Sequence, residues 1–377
     1  MTLADKYKKA TEIVNAAGGT PFPVTTTLIE IIKSLVEKDQ LDFILAFESS
    51  KSQTLEQLRK SSGLPDDEIE LKAKALAKKG FIFNQPSSKG VMVYRILPLI
   101  NVGVFEYTFM QKLEFSEENK KLAALFTKLF REIDGVVQKS YDGVIDFMKH
   151  MPAVDRTVPF QVNKATGKPT TISINKRLER PVEYALPTDN VKEMIEKFDE
   201  IAVGHCFCRH HKDIEGHACK QTDMRENCFT FGKSARFTTE QGFMRMIDKK
   251  EALEILLKSE EDGLVHKAYH PNFDTTRDET SVCNCCKCCC GNSVDSQIGP
   301  IVNEAGYLAD VDPATCSGCG TCEQYCHAEA IAVDDDGISK VDETRCIGCG
   351  VCAYFCPENA ISLKESKRVV RIAPPRK

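Results

Sequence analysis

The chain contains no apolar run that approaches the roughly 18 residues a membrane-spanning helix needs. The longest candidate, Ile96 to Phe105, is broken by Pro98, Asn101 and Gly103. Neither sign of charge dominates, with a formal net charge of −5 over 377 residues. That balance gives no global reason to expect nucleic acid or an acidic membrane as a partner. There is no glycine-rich dinucleotide fingerprint between a strand and a helix, no carboxylate pair placed for acid–base work, and no flavin-type or cobalamin-type signature. The first residues, Met1-Thr2-Leu3-Ala4-Asp5-Lys6, start polar and lack the apolar core of a signal peptide. The expectation is a soluble cytoplasmic chain with no membrane span.

Cysteine is abundant instead, with 18 residues. Disulfides are not expected in a reducing cytosol, and the spacings are those of metal ligands. Two runs stand out near the C-terminus: Cys316-x2-Cys319-x2-Cys322-x3-Cys326 and Cys346-x2-Cys349-x2-Cys352-x3-Cys356-Pro357. This spacing is that of bacterial ferredoxins. Three close thiolates wrap one corner of a cubane, and the fourth ligates the other cluster. Cys316, Cys319, Cys322 and Cys356 are therefore assigned to one [4Fe–4S] cluster, and Cys346, Cys349, Cys352 and Cys326 to a second. Zinc ribbons would need two knuckles per ion separated by a longer loop, which these runs do not provide. The two halves repeat at a fixed offset: Gly320 maps to Gly350, and Ala330-Ile331 to Ala360-Ile361. One departure is His327, which stands where the second run has Pro357.

Two further groups lie upstream. Cys206, Cys208, Cys219 and Cys228 are four thiols, the number a third cubane needs, with Arg209, His210 and His211 alongside as donors to cluster sulfur. Zinc, held by all four or by three and a histidine, is the rival, and the Cys-x-Cys spacing favours the cluster. The other group is Cys283, Cys285, Cys286, Cys288, Cys289 and Cys290, interrupted by Lys287, whose charge favours thiolates. Four of these six could bind a further cluster. A zinc or metal-buffering tract is the competing reading, and spacing alone does not choose which cysteines ligate.

The pattern predicts an α+β, multidomain chain. Residues 1–110 read as a winged-helix-like module, 111–300 as a Cys-rich middle domain, and 301–377 as the dicluster ferredoxin domain. In the first, Leu28, Ile31, Ile32 and Leu35 recur at helical spacing. Thr54 and Gln57 form a capping box for a helix ending at Gly63. A second helix starts near Pro65 with acids in its first turn and an expected apolar face of Ile69, Leu71, Ala75 and Leu76. Phe81–Phe83 and Val91–Ile96 then flank a turn-rich loop. Residues 150–188 hold five prolines and suggest extended packing segments. Asp189 is expected to cap a helix through Phe198, and Asp248 with Glu251 a helix to about Glu261.

Together the motifs resemble a family of iron–sulfur proteins of anaerobes, the 4Fe–4S binding or ferredoxin-type proteins. The likeness rests on the Cys206-to-His210 segment, Cys219 and Cys228, the Cys283–Cys290 run, the terminal dicluster, and Gly19-Thr20-Pro21-Phe22-Pro23 near the N-terminus. It implies electron transfer in anaerobic metabolism with redox partner proteins, and names no substrate. A homo-oligomer and a subunit of a larger complex are both compatible with it. Two alternatives stand beside it. One is a reductase with its substrate at Cys283–Cys290. The other is a redox-responsive DNA-binding regulator, disfavoured because Asp66, Asp67, Glu68 and Glu70 would open its recognition helix against phosphates.

Overall fold

A computed structural model describes residues 1–18, 23–48, 51–87, 89–100, 102–112, 114–148, 150, 155–173, 190–270, 278–291 and 302–371. Gly19–Phe22, residues 151–154 and 174–188 of the proline-rich stretch, and Asp189 lie outside them. The protein is α+β. It divides into two compact units, one of Met1–Ile133, Gly204–Ala218 and Ala235–Met246, the other of Asp134–Val203, Cys219–Ser234 and Ile247–Lys377. These boundaries cut across the three sequential segments expected above.

The first unit opens with three helices, Leu3–Ala16, Thr26–Leu35 and Lys38–Ile44. Leu28, Ile31 and Ile32 are buried, as their spacing required. The helix Leu55–Ser62 carries the Thr54–Gln57 capping box and stops at Gly63, whose φ of 71° is left-handed. The next helix, Asp66–Ala77, buries Ile69, Ala73, Leu76 and Ala77. Leu71 is 70% exposed, against expectation. At about 100° per residue it lies roughly 200° round from Ile69, so one stripe cannot hold both. The strands Ile82–Pro86 and Met92–Ile96 pair antiparallel, and the short strand Gln53–Thr54 adds to the latter. Further along, Phe105 meets Phe109, Phe126 and Phe130 at ring separations of 5.3, 5.0 and 4.9 Å. His211 joins this cluster 5.4 Å from Phe105, which anchors the helix Phe207–Ile214 in the same core.

The second unit is built on a sheet ordered Ile172–Ser173, Ile361–Arg371, Val302–Val311, Asp155–Val158, Val265–Tyr269, Ser281–Cys285, Glu226–Phe231 and Ile201–His205. Val302–Val311 pairs antiparallel with Ile361–Arg371 and parallel with Asp155–Val158. The C-terminal cysteine runs therefore share their sheet with upstream segments. One face, with Val282, Phe229, Phe231 and Val203, packs on the helices Val191–Lys197 and Lys249–Glu261. Asn190 caps the first of these, accepting from the Glu193 amide in the place expected of Asp189. Asp248 caps the second.

The opposite face carries charge. Lys267, 2% exposed, donates to the Asp155 carboxylate at 3.0 Å, on adjoining strands. Removing one partner of such a pair strands the other charge in a dry interior, which costs about 3–5 kcal/mol. Asp155→Ala is expected to lose that much in a denaturant titration of the full chain followed by far-ultraviolet circular dichroism, and Asp155→Leu/Lys267→Met to recover most of it. Lys6→Ala, which breaks the exposed Lys6–Asp42 pair, should cost under about 1 kcal/mol. Equal losses for Asp155→Ala and Lys6→Ala would contradict this account of the buried pair.

Candidate metal centres

The two C-terminal runs fold as matching halves. The helices Thr321–Tyr325 and Val351–Phe355 each follow a left-handed glycine, Gly320 at φ 76° and Gly350 at φ 73°. Cys326 and Cys356 end them with the same extended ψ of 114°. Glu329 and Asn359, at equivalent positions, both take positive φ, 49° and 53°. Ala330 N–H donates to Cys326 Sγ at 3.2 Å and Ala360 N–H to Cys356 Sγ at 3.3 Å. Amides aimed at sulfur stabilise the charge of a ligating thiolate. The halves meet along their pseudo-twofold, where the equivalent rings of Tyr325 and Phe355 stack with centroids 3.8 Å apart.

This arrangement gathers Cys316, Cys319, Cys322 and Cys356 around one hollow, with Thr321, Ser339 and Pro357 also lining it. Cys319 is exposed. Ser339 Oγ lies 3.1 Å from Cys322 Sγ and Thr321 Oγ1 lies 3.4 Å from Cys319 Sγ. The Ser339 and Gly318 amides hold the Cys316 thiol below its ordinary range, and the Thr321 hydroxyl does the same for Cys319.

Of the other four, Cys346 is buried in the core of the second unit, as are Cys322 and Cys356 of the first set, and Cys326, Cys349 and Cys352 pack half-buried against it. Burial pushes the Cys349 thiol up to about 12, with the charges of Cys326 and Cys346 adding to it. Burial followed by Cys349, Cys346 and Cys326 pushes Cys352 well above its ordinary value. Thiols that resist ionisation this strongly become ligands through a cation that deprotonates them. Both sets suit a thiolate-bound cluster: four sulfurs each, amide donors, and one fourth ligand exchanged between halves.

Residues far away in sequence brace the second half. Asn163 Nδ2 donates to the carbonyls of Ala353 and Cys356 at 2.8 and 2.9 Å, and Phe160 N–H to the Cys349 carbonyl at 3.0 Å. Arg368 Nη2 donates to the Cys346 carbonyl at 2.5 Å. Nothing in the spacing of the cysteines points to these three residues.

His327 is buried, and its Nε2 lies 2.9 Å from the Gly263 carbonyl. A carbonyl only accepts, so Nε2 carries the proton. The imidazole ties the first half of the repeat to the loop after the helix Lys249–Glu261. His210 and His211, expected beside a cluster, direct ring nitrogens to backbone carbonyls instead, Nδ1 to Phe109 at 2.5 Å and Nε2 to Ala123 at 3.0 Å. Burial lowers His210 to about 4.

The upstream cysteines are grouped differently from their sequence order. Cys206, which precedes the helix Phe207–Ile214, and Cys208 within it belong to the first unit. Cys228 lies in the strand Glu226–Phe231 of the second. Cys219 converges with Cys286, Cys288 and Cys289, all four sulfurs lying within 4.8 Å of one another. This departs from the expected set of Cys206, Cys208, Cys219 and Cys228, because strand pairing places Ser281–Cys285 and the turn after it beside residues that spacing cannot bring near. Cys283, Cys285 and Cys290 pack in the same core as the dicluster cysteines. Burial raises the Tyr269 hydroxyl well above its ordinary value, and the charges of Cys283, Asp155, Cys285 and Cys290 raise it further.

Residues 309–363 match the family of the 4Fe-4S dicluster domain. No curated protein and no solved structure matches the chain. The matched stretch holds all eight cysteines of the two C-terminal runs, and the C-terminal segment is accordingly a ferredoxin-type dicluster domain.

Close backbone approaches make the two ligand loops separately breakable. A Cβ at Gly318, where φ is +66°, would stand 2.1 Å from the Gly337 carbonyl oxygen. At Gly348, where φ is +65°, it would stand 2.1 Å from that of Tyr307. Gly318→Ala is expected to remove about 4 of the dicluster's 8 irons, and Gly348→Ala the other 4. Iron and acid-labile sulfide per chain on anaerobically purified protein reads this out, and full loading in both variants would refute the assignment of these loops.

Proposed function

We propose that the chain is an iron–sulfur electron-transfer protein, or the redox subunit of an anaerobic oxidoreductase system, exchanging electrons with soluble partner proteins. In this reading Cys316, Cys319, Cys322 and Cys356 hold one [4Fe–4S] cluster, and Cys326, Cys346, Cys349 and Cys352 hold the other. Bound clusters supply one-electron storage. The protein supplies their surroundings, and the observation that carries the reading is the exposure of one ligand. The first thiol set opens to the surface at Cys319, although Cys322 and Cys356 of the same set are buried. In the second set Cys346 is buried and Cys326, Cys349 and Cys352 are half-buried. An exposed ligand suits contact with a soluble carrier.

We take the N-terminal helices and hairpin as a winged-helix-type packing module. Lys72 lies 3.6 Å from both Asp39 and Glu68, and Lys79 3.0 Å from Glu37. Cations engaged in this way, behind three acids in the first turn of Asp66–Ala77, offer phosphates little. Among the described residues no helix is long and apolar enough to cross a membrane.

The test is reduction of anaerobically purified protein by dithionite. Two clusters in one module should give the broadened electron paramagnetic resonance signal of interacting spins. Cys319→Ser should convert it to the simple signal of one cluster and slow electron transfer to an oxidised soluble ferredoxin by an order of magnitude or more. A protein whose visible absorbance does not bleach on reduction, or a Cys319→Ser variant with unchanged signal and rate, would overturn the proposal.

A further inference from the structure

We infer that Cys219, Cys286, Cys288 and Cys289 bind a single zinc ion as a closed, redox-silent tetrathiolate that staples the Cys-rich turn to the loop at Cys219. The argument is one of separations. Four sulfurs about 2.3 Å from one central ion stand about 3.8 Å apart along the tetrahedron's edges. Cys219 Sγ lies 3.6 Å from Cys288 Sγ, and Cys288 Sγ 3.7 Å from Cys289 Sγ. A cubane interposes four irons between its thiolates and therefore spreads them more widely. The chain itself provides the comparison. The dicluster cysteines, all described, form no group of three or more sulfurs within 4.8 Å, whereas this quartet does.

The surroundings fit a structural ion. Leu264, fully buried, packs directly on Cys286 and Cys289, with Cys219 and Cys288 beside them. Lys220 N–H reaches Cys288 Sγ at 3.4 Å. Four thiolates around a divalent ion carry a net charge of about −2, and Lys220 and Lys287 flank it in sequence. Four protein sulfurs leave no open coordination position, which is the pattern of a structural rather than a catalytic zinc.

The staple has a consequence for its neighbour. Lys287 N–H donates to Gln221 Oε1 at 2.8 Å, and Lys287 Nζ pairs with Glu329 at 3.3 Å. Gln221 Nε2 in turn donates to the Asp262 and Gly263 carbonyls at 3.0 Å. The ion thus fixes both ends of a bridge between Gln221 and Lys287, whose charge pairs with Glu329 in the first half of the repeat. This inference does not depend on the dicluster reading, and its failure would leave both clusters in place.

The experiment uses the full chain, purified anaerobically from cells supplied with both iron and zinc. We expect one zinc per chain, and X-ray absorption at the zinc edge showing four sulfurs at about 2.3 Å. Cys219→Ser and Cys289→Ser should each lose the zinc while keeping the reduced dicluster signal, and Cys283→Ser should keep both. Absence of zinc with iron in a four-sulfur site would overturn the inference, as would nitrogen or oxygen in the zinc shell of the unaltered protein. Zinc retained in both quartet variants would mark it as adventitious and have the same force. Should those variants fail to fold, the absorption spectrum of the unaltered protein decides alone.

Discussion

The separation between thiolates is the constraint on which the rest of this structure depends. A cysteine sulfur ionises readily only where a cation or hydrogen bonds favour its charge. Each kind of metal centre sets how far apart its sulfurs must stand. The protein has to hold those separations with a backbone that would otherwise relax. It does so with left-handed glycines before each ligand helix, amides aimed at Cys326 and Cys356, and carbonyl contacts so close at Gly318 and Gly348 that no side chain fits.

The sheet of the second unit makes this possible. Pairing of Val302–Val311 with Ile361–Arg371 closes the repeat on itself, and the parallel contact with Asp155–Val158 ties it to upstream strands. Asn163 and Phe160, just beyond that strand, reach carbonyls of the second cysteine run. The buried Lys267–Asp155 pair sits on the same face of adjoining strands, near Tyr269 and the remaining cysteines. Charge is tolerated there because it is paired.

Local pattern made some of this legible. The Cys-x2-Cys-x2-Cys-x3-Cys runs encode cluster ligation within a dozen residues, so their chemistry reads directly from spacing. Caps such as Thr54–Gln57 are equally local. Leu71 is apolar but exposed, because its angular position on the helix, not its identity, decides its burial. Asn163, Phe160 and the partnership of Cys219 with Cys286, Cys288 and Cys289 were not legible, because each depends on strand register between distant segments. A run of six cysteines within Cys283–Cys290 looks like one site, and the alternation of a strand into a turn divides it. Cys283 and Cys285 end a strand facing the dicluster core, while Cys286, Cys288 and Cys289 turn toward Cys219.

The most direct test of a chain that keeps two kinds of thiolate centre apart is anomalous diffraction from anaerobically grown crystals, at the iron and zinc absorption edges. The account predicts iron peaks among Cys316, Cys319, Cys322 and Cys356 and among Cys326, Cys346, Cys349 and Cys352. It also predicts a lone zinc peak between Cys219 and the Cys286–Cys289 turn. Iron between Cys219 and that turn, or no iron at either C-terminal set, would contradict it.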